Sequence, residues 1–127
     1  MATHATHITQ GQQFFTNLDQ IYADSSLVVD RAKDTKHPRI PQAVYPVDYG
    51  YLEGTTGGDG QPVDVFRGSA KNAGVVGVFL TADREKHDVE VKVLLDCTDE
   101  EIDQVRHLLK EVLKIGGLLV RRDHSLL

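Results

Sequence analysis

Four aspartates carry the strongest chemical pattern in this chain. Asp59 and Asp64 lie five apart across a glycine turn leading into a strand, and Asp83 and Asp88 lie five apart across a hairpin. Carboxylates that converge on one cavity repel, at a cost of about 4 kcal/mol per pair at ~4 Å with an effective dielectric near 20. A hard divalent cation removes that cost, and Mg²⁺ prefers a few carboxylates together with waters and phosphate oxygens. A bridged pair of such ions lowers the pKa of a water and clamps a transferring phosphoryl group. One Asp-Gly turn, such as Asp59-Gly60, is by itself only a hairpin device. Two aspartate pairs on neighbouring strands point further, to metal-assisted phosphate chemistry.

Two further sets of residues suit that chemistry. Tyr45, Tyr49 and Tyr51 alternate, which places them on one strand face. They are core aromatics or phenols that donate to a phosphate oxygen. Arg31, Lys33, Lys36, His37 and Arg39 are interleaved with Pro38 and Pro41. Proline removes backbone donors, so the stretch is an extended loop. It is a solvated linker or a cationic arm, in which arginine is suited to bidentate phosphate contact. His4 and His7 have no third ligand nearby and read as part of a flexible tail over 1–12.

The elements that must position these groups follow from periodicity. Phe14, Phe15, Leu18, Ile21 and Tyr22 predict a short amphipathic helix over 13–23. Strands are expected at Leu27–Val29, Val44–Tyr51, from Val63 to Arg67, over 74–80 and over 88–95. On the last of these, Asp88, Glu90 and Lys92 share one face and Val89, Val91 and Val93 the other. Thr98 with Glu101 forms a capping box. It opens a helix whose stripe is Ile102, Val105, Leu108, Leu109, Val112 and Leu113. Gly116-Gly117 ends it, and Leu118–Val120 is a final strand. This order predicts one α+β domain over 1–127, with a small barrel of five to six strands and flanking helices.

Composition sets the outer limits. With 127 residues, 40% of them hydrophobic, the chain can bury a core without staples. A formal charge of −5 argues against a general nucleic-acid binder and suits a holder of divalent metals. The single cysteine, Cys97, allows no internal disulfide and fits a reducing compartment. There is no membrane-length apolar run and no apolar leader, so the expectation is a cytoplasmic protein with no membrane partner.

Tyr45-Pro-Val-Asp-Tyr-Gly-Tyr, a short loop, and Asp59-Gly-Gln-Pro-Val-Asp-Val together resemble the signature of the family I soluble inorganic pyrophosphatases. That signature is Tyr-Pro-x-Asn-Tyr-Gly-[Phe/Tyr] followed by Asp-Gly-Asp-Pro-x-Asp-Val. Asp83 and Asp88 match its later aspartate pair. The resemblance covers roughly residues 27–96. It implies an OB-like closed barrel and Mg²⁺-dependent hydrolysis of pyrophosphate to two phosphates. By position it implies Asp59, Asp64 and Asp88 as ligands of the tighter metal sites, and Asp83 with Asp88 for metals that arrive with substrate. Asp30 stands where the family has a glutamate after its first strand. Tyr49 matches the tyrosine that reaches the nucleophile or a phosphate. A homo-oligomer is also implied.

The departures from the signature fall on the substrate side. Gln61 replaces the middle aspartate, which accepts the proton of the attacking water, and glutamine cannot take that proton. Asp48 replaces an asparagine. Glu90 occupies the position of a phosphate-binding lysine, with Lys92 one pleat further on. The hairpin that carries a phosphate-binding arginine is shortened, leaving Lys36 and Arg39 as the nearest cations and Lys33 behind them. The late Tyr-Lys pair has no counterpart beyond Lys110, Lys114 or Arg121. The leading expectation is a minimal pyrophosphatase in which Asp64, Asp59, Tyr49 and Gln61 surround the nucleophile and Lys36, Arg39 and Lys92 hold phosphate. The alternatives are a hydrolase of another phosphate substrate and a weakly catalytic metal- or phosphate-binding protein.

Overall fold

The computed structural model describes residues 2–122, with side chains described from residue 11 onward. The side chains of His4 and His7 lie outside the described residues. Helix α1 (Ala2–Ala23) is longer than the stretch predicted from its apolar spacing, because no proline interrupts the preceding residues. Its backbone therefore runs through the segment read as a tail. Six strands follow: β1 (Ser26–Arg31), β2 (Asp48–Glu53), β3 (Val63–Arg67), β4 (Val75–Asp83), β5 (Asp88–Leu95) and β6 (Gly116–Arg121). Helix α2 (Asp99–His107) lies between β5 and β6 and widens into a π-helical stretch over Leu108–Val112. Among the described residues no helix is long and apolar enough to cross a membrane.

The strands form one mixed sheet in the order β1-β2-β3-β5-β4-β6, with β3 and β5 parallel and the other pairs antiparallel. β1 and β6 are its edges, and among the described residues no ladder joins them. The predicted α+β class is observed, but the expected closed barrel is not formed by hydrogen bonding. The strand predicted over Val44–Tyr51 begins only at Asp48. Pro46 lacks an N–H to donate, and upstream only an isolated bridge, Lys36 to Val44, forms. The two glycines predicted to end the helix instead open β6, with Lys114 at φ 57° making the turn before them.

Alternation along the strands splits the core in two. Val65, Val78 and Val93 pack with Phe15 and Leu18 of α1, while Phe66, Phe79 and Leu94 pack with Ile102 and Val105 of α2 and Leu109 of the π-helical stretch. Each pair of consecutive strand residues thus feeds opposite faces of the sheet. Arg122 clamps α1 through both guanidinium nitrogens to Asp19, each at 2.7 Å. The capping box is formed: Glu101 N–H donates to Thr98 Oγ1 at 3.1 Å, and Thr98 N–H donates to Glu101 at 2.9 Å. Glu101 also accepts from the Ser69 N–H and hydroxyl, so it ties the β3–β4 connection to the start of α2.

β5 is the element that turns this scaffold towards chemistry. Leu94 is in the α2 core, and the same face continues through Lys92, Glu90 and Asp88. Val89 and Val91, on the other face, are exposed, at 71% and 43%, whereas Lys92 is only 6% exposed. Over the first half of β5 the charged row points inwards and Val89 and Val91 outwards, the reverse of an ordinary surface strand, whereas Val93 on the valine face is back in the α1 core.

Two outcomes follow for stability. A Cβ added at Gly50 would lie 1.9 Å from the Val28 carbonyl oxygen, where β2 passes β1. Gly50→Ala is expected to cost about 3 kcal/mol or more, read as a lower denaturant midpoint. Burial works against the Glu101 carboxylate, but the N–H groups of Thr98 and Ser69 and the Ser69 hydroxyl outweigh it and hold the pKa below the ordinary value. A depressed carboxyl pKa contributes stability above the unfolded value, about 4.3, and loses it as pH falls through the folded value. Glu101→Ala should therefore destabilise the protein by about 1–3 kcal/mol near neutrality, with the gap to wild type closing in acid. Urea unfolding at stepped pH measures both.

Candidate functional site

The inward face of β5 meets the inward faces of its neighbours in a single row. Register places Tyr51 beside Asp64, Asp64 beside Lys92, and Lys92 beside Phe79. The Lys92 ammonium donates to Asp64 Oδ2 at 2.9 Å, to Glu90 Oε1 at 2.8 Å and to the Tyr49 hydroxyl oxygen at 3.2 Å. It also lies 5.4 Å from the centre of the Tyr49 ring. Burial alone would favour loss of its proton. The surrounding oxygens of Tyr49, Asp64 and Glu90 more than offset that and hold the lysine charged, above its usual range. Burial raises the Asp64 pKa, and the Glu90 carboxyl raises it further, while Lys92 opposes both. Burial likewise keeps the Tyr49 phenol neutral and able to donate.

Glu90 links this network to an acidic group. Carboxylate oxygens of Asp59, Asp88 and Glu90 lie within 4.8 Å of one another. Asp88 and Glu90 come from one strand face, and Asp59 arrives on the turn before β3. That turn is held by the Gln61 N–H, which donates to Asp59 Oδ1 at 2.9 Å, and by the Gly57 N–H, which donates to the Gln61 carbonyl at 2.6 Å. Three hard oxygen donors at this spacing fit a hard divalent cation in ligand type and separation.

On the other side of Lys92 a cavity of about 630 Å³ opens, bounded by Arg31, His37, Arg39, Tyr45, Tyr49, Asp83, Lys86 and Lys92 among others. Apart from Lys92, its basic side chains come from three places. Arg31 reaches inwards because β1 is bulged: the register skips one residue between Val29 and Arg31, so Arg31 pairs with Tyr49. Its guanidinium donates to the Tyr45 hydroxyl and lies 5.5 Å from the Tyr45 ring and 5.9 Å from the Tyr49 ring. The loop over 32–47 supplies His37 and Arg39. It is braced by Asp34 N–H to the Tyr45 carbonyl at 2.8 Å and His37 N–H to the Ala43 carbonyl at 2.8 Å. Asp48 anchors its base, accepting from the Lys33 N–H at 2.9 Å and from Arg67 at 2.8 Å. The bond from Arg67 holds the Asp48 pKa below the usual range, helped by the bond from Lys33. Lys86 comes from the β4–β5 turn. His37 is kept neutral by burial and by the charges of Arg31, Arg39 and Lys86.

The predicted site residues divide accordingly. Asp59 and Asp88 are together, and Asp64 joins them only through Lys92 and Glu90. Asp83 lines the cavity rather than the acidic group, and its Oδ1 accepts the Glu85 and Lys86 N–H groups at 3.0 and 3.2 Å. Asp30 is the extra residue of the β1 bulge and is exposed. Arg39, Lys92 and Tyr49 line the cavity, whereas Lys36 is exposed outside it. Gln61 is exposed and enters the geometry through its backbone. Tyr45 stacks on Tyr49 at 5.3 Å, but from the loop before β2 rather than from a shared strand. Lys86 and Glu90 are not among the predicted site residues, and Arg31 and His37 read only as members of a cationic arm or solvated linker. Glu90 was legible: on a period-two strand it stands between Asp88 and Lys92. Arg31 reads as part of the loop arm, but its inward place on β1 was not legible, because the bulge that turns it leaves no mark in the pattern.

The family model for inorganic pyrophosphatase matches residues 15–115 of the chain. Solved structures of similar fold include an inorganic phosphatase from Anaplasma phagocytophilum. It is 20% identical at a TM-score of 0.51, with 75% of this chain and 80% of that one covered. An inorganic pyrophosphatase from Ehrlichia chaffeensis is 17% identical at 0.51, covering 75% and 83%. Another from Coxiella burnetii is 14% identical at 0.50, covering 75% and 81%. No curated protein matches the chain. At these identities the structures speak to fold alone, but the family match spans most of the chain and takes in both the acidic group and the cationic cavity. The chain belongs to the inorganic pyrophosphatase family.

Proposed function

We propose that this protein hydrolyses inorganic pyrophosphate in the cavity beside Lys92, with Mg²⁺ held by Asp59, Asp88 and Glu90. The observation that carries the reading is the join between opposite charges. An acidic group fit for a hard cation and a cavity lined by cations meet at one buried lysine. Such a cation, when bound, lowers the pKa of a water and neutralises phosphate charge. Arg31, Arg39 and Lys86 take the phosphate oxygens, Lys92, whose three N–H groups are engaged by Tyr49, Asp64 and Glu90, contributes its charge, and the neutral Tyr49 phenol donates a further bond. The water oxygen forms a bond to one phosphorus as the bridging P–O bond breaks, releasing two phosphates. Gln61 cannot take the proton of that water, and Asp59, two residues earlier, is the proposed acceptor. Family membership supports the reaction, and the donor set supports the choice of a hard cation.

The same reading extends to setting. The buried thiol of Cys97, whose pKa burial pushes up to about 12, suits a reducing cytoplasm. The exposed Val89, Val91, Leu118 and Val120 on the outward side of the sheet offer a surface for self-association. A monomeric mass in solution would contradict that last element.

Phosphate release from pyrophosphate should require Mg²⁺ and should fall by about 10²-fold or more in Glu90→Gln, which removes one donor charge. Equal release with and without Mg²⁺ would refute the reading. Gln61→Asp restores a base beside the acidic group and should raise kcat by about 10²-fold; a flat rate at saturating Mg²⁺ would show that the proton leaves well without it. Arg31→Ala should raise KM for pyrophosphate about tenfold, and an unchanged KM would remove Arg31 from the phosphate side.

A further inference from the structure

Lys92 is positioned as a cation among carboxylates before any metal arrives. Its side chain is 8% exposed, and its Nζ bonds Asp64 at 2.9 Å and Glu90 at 2.8 Å. Both placements follow from the sheet. The parallel register sets Lys92 directly beside Asp64, and the two-residue period sets it on the face of Glu90 and Asp88. The acidic side chains here therefore form two sets. Asp59, Asp88 and Glu90 converge on one another. Asp64 is held by Lys92.

Charge favours keeping these sets apart. Four carboxylates, one ammonium and one divalent ion leave the site one charge negative. An ion on Glu90 already shares one of the ammonium's two carboxylates, and a second ion ligated by Asp64 would share the other, leaving Lys92 between two dications with no carboxylate of its own. A double and a single positive charge repel by about 8 kcal/mol at ~4 Å with an effective dielectric near 20. Moving Lys92 aside to relieve this would strip two ion-pair partners from a buried ammonium. We infer that Lys92 is a built-in cation that stands in place of a second metal ion: the free protein takes one divalent ion, on Asp59, Asp88 and Glu90, and keeps Asp64 on Lys92. Glu90 is then bifunctional, its carboxylate serving both the lysine and the ion site. This rests on the metal-dependent reading above and narrows the two-ion arrangement implied by the sequence resemblance.

The test counts ions in the absence of phosphate, with Mn²⁺ as the probe and the electron paramagnetic resonance signal of the free ion as the readout. Wild type and Lys92→Arg should bind one ion per chain. Lys92→Met should bind two, and Lys92→Met with Asp64→Asn should return to one. Two ions on wild type, or one on a folded Lys92→Met, would overturn the inference. Should Lys92→Met fail to fold, the single variants decide it. Glu90→Gln should weaken Mn²⁺ by about tenfold or more, and Asp64→Asn by no more than about threefold; the reverse order would overturn it. Pyrophosphate hydrolysis is scored separately. One ion without phosphate release would sink the hydrolytic reading and leave this inference standing, whereas release with two ions bound would do the opposite.

Discussion

A buried ammonium bound to two carboxylates organises this site. Taking Lys92 out of water is costly by itself, and it is tolerated because Asp64 and Glu90 sit within 2.9 Å of its nitrogen. Those partners cannot both be reached from a surface position. The strand must run its charged row inwards, the neighbouring parallel strand must offer an aspartate at the same level, and the aromatic wall of Tyr49 and Phe66 must exclude water from one side. Removing one partner of a buried pair typically costs 3–5 kcal/mol. The fold and the charge network therefore stabilise each other. The hydrophobic part of the α2 face ends at Leu94, and the charged part begins one pleat later.

That boundary explains the division of labour along the sheet. Near α2, Phe66 and Leu94 are core residues with less than 2% exposure. One row further, the same face carries Tyr51, Asp64 and Lys92, and beyond it Glu90 and Asp88. Rigid packing thus abuts the polar site with no intervening loop, so the first charged row inherits the precision of the core. The mobile-looking parts of the sequence contribute differently. The 32–47 loop brings His37 and Arg39, and it is pinned at both ends, by Asp48 at its base and by the Tyr45 stack on Tyr49 and Arg31 above. Asp48, the departure from the family asparagine, is matched by Arg67, so its added charge is absorbed in holding the loop.

Much of this was legible in the residues. The capping box at Thr98, the helical stripe from Ile102 to Leu109 and the alternation of β5 follow from local patterns, because each depends on neighbours a few residues away. The aspartates stood out because their spacing repeats. What the pattern left open were the non-local facts. Alternation shows that Asp88, Glu90 and Lys92 share a face, but only burial under the sheet decides that this face is the inner one. The bulge that turns Arg31 inwards depends on where β2 lies. The edges of the sheet depend on whether β1 and β6 meet, and the open hydrogen-bond ladder departs from the expected closed barrel for that reason. Asp83 resembles a metal ligand in sequence; in the fold it lines the cavity, with Oδ1 accepting from the turn that presents Lys86.

The position of Glu90 illustrates how one exchange can shift the balance of a site. In the family pattern a lysine stands there, and here the order on the strand is acid, acid, base. With Asp88 and Glu90 successive on one face, two carboxylates already lie side by side, and a third at Asp59 completes a group compact enough for one hard ion. The base, moved one pleat towards the core, then has only carboxylates and a phenol for company. It is more buried than a lysine at the cavity mouth, where water would screen the charge. The other cations at the cavity are Arg31, Arg39 and Lys86. A change of order between two adjacent inward positions thus moves positive charge from the mouth to the floor of the site.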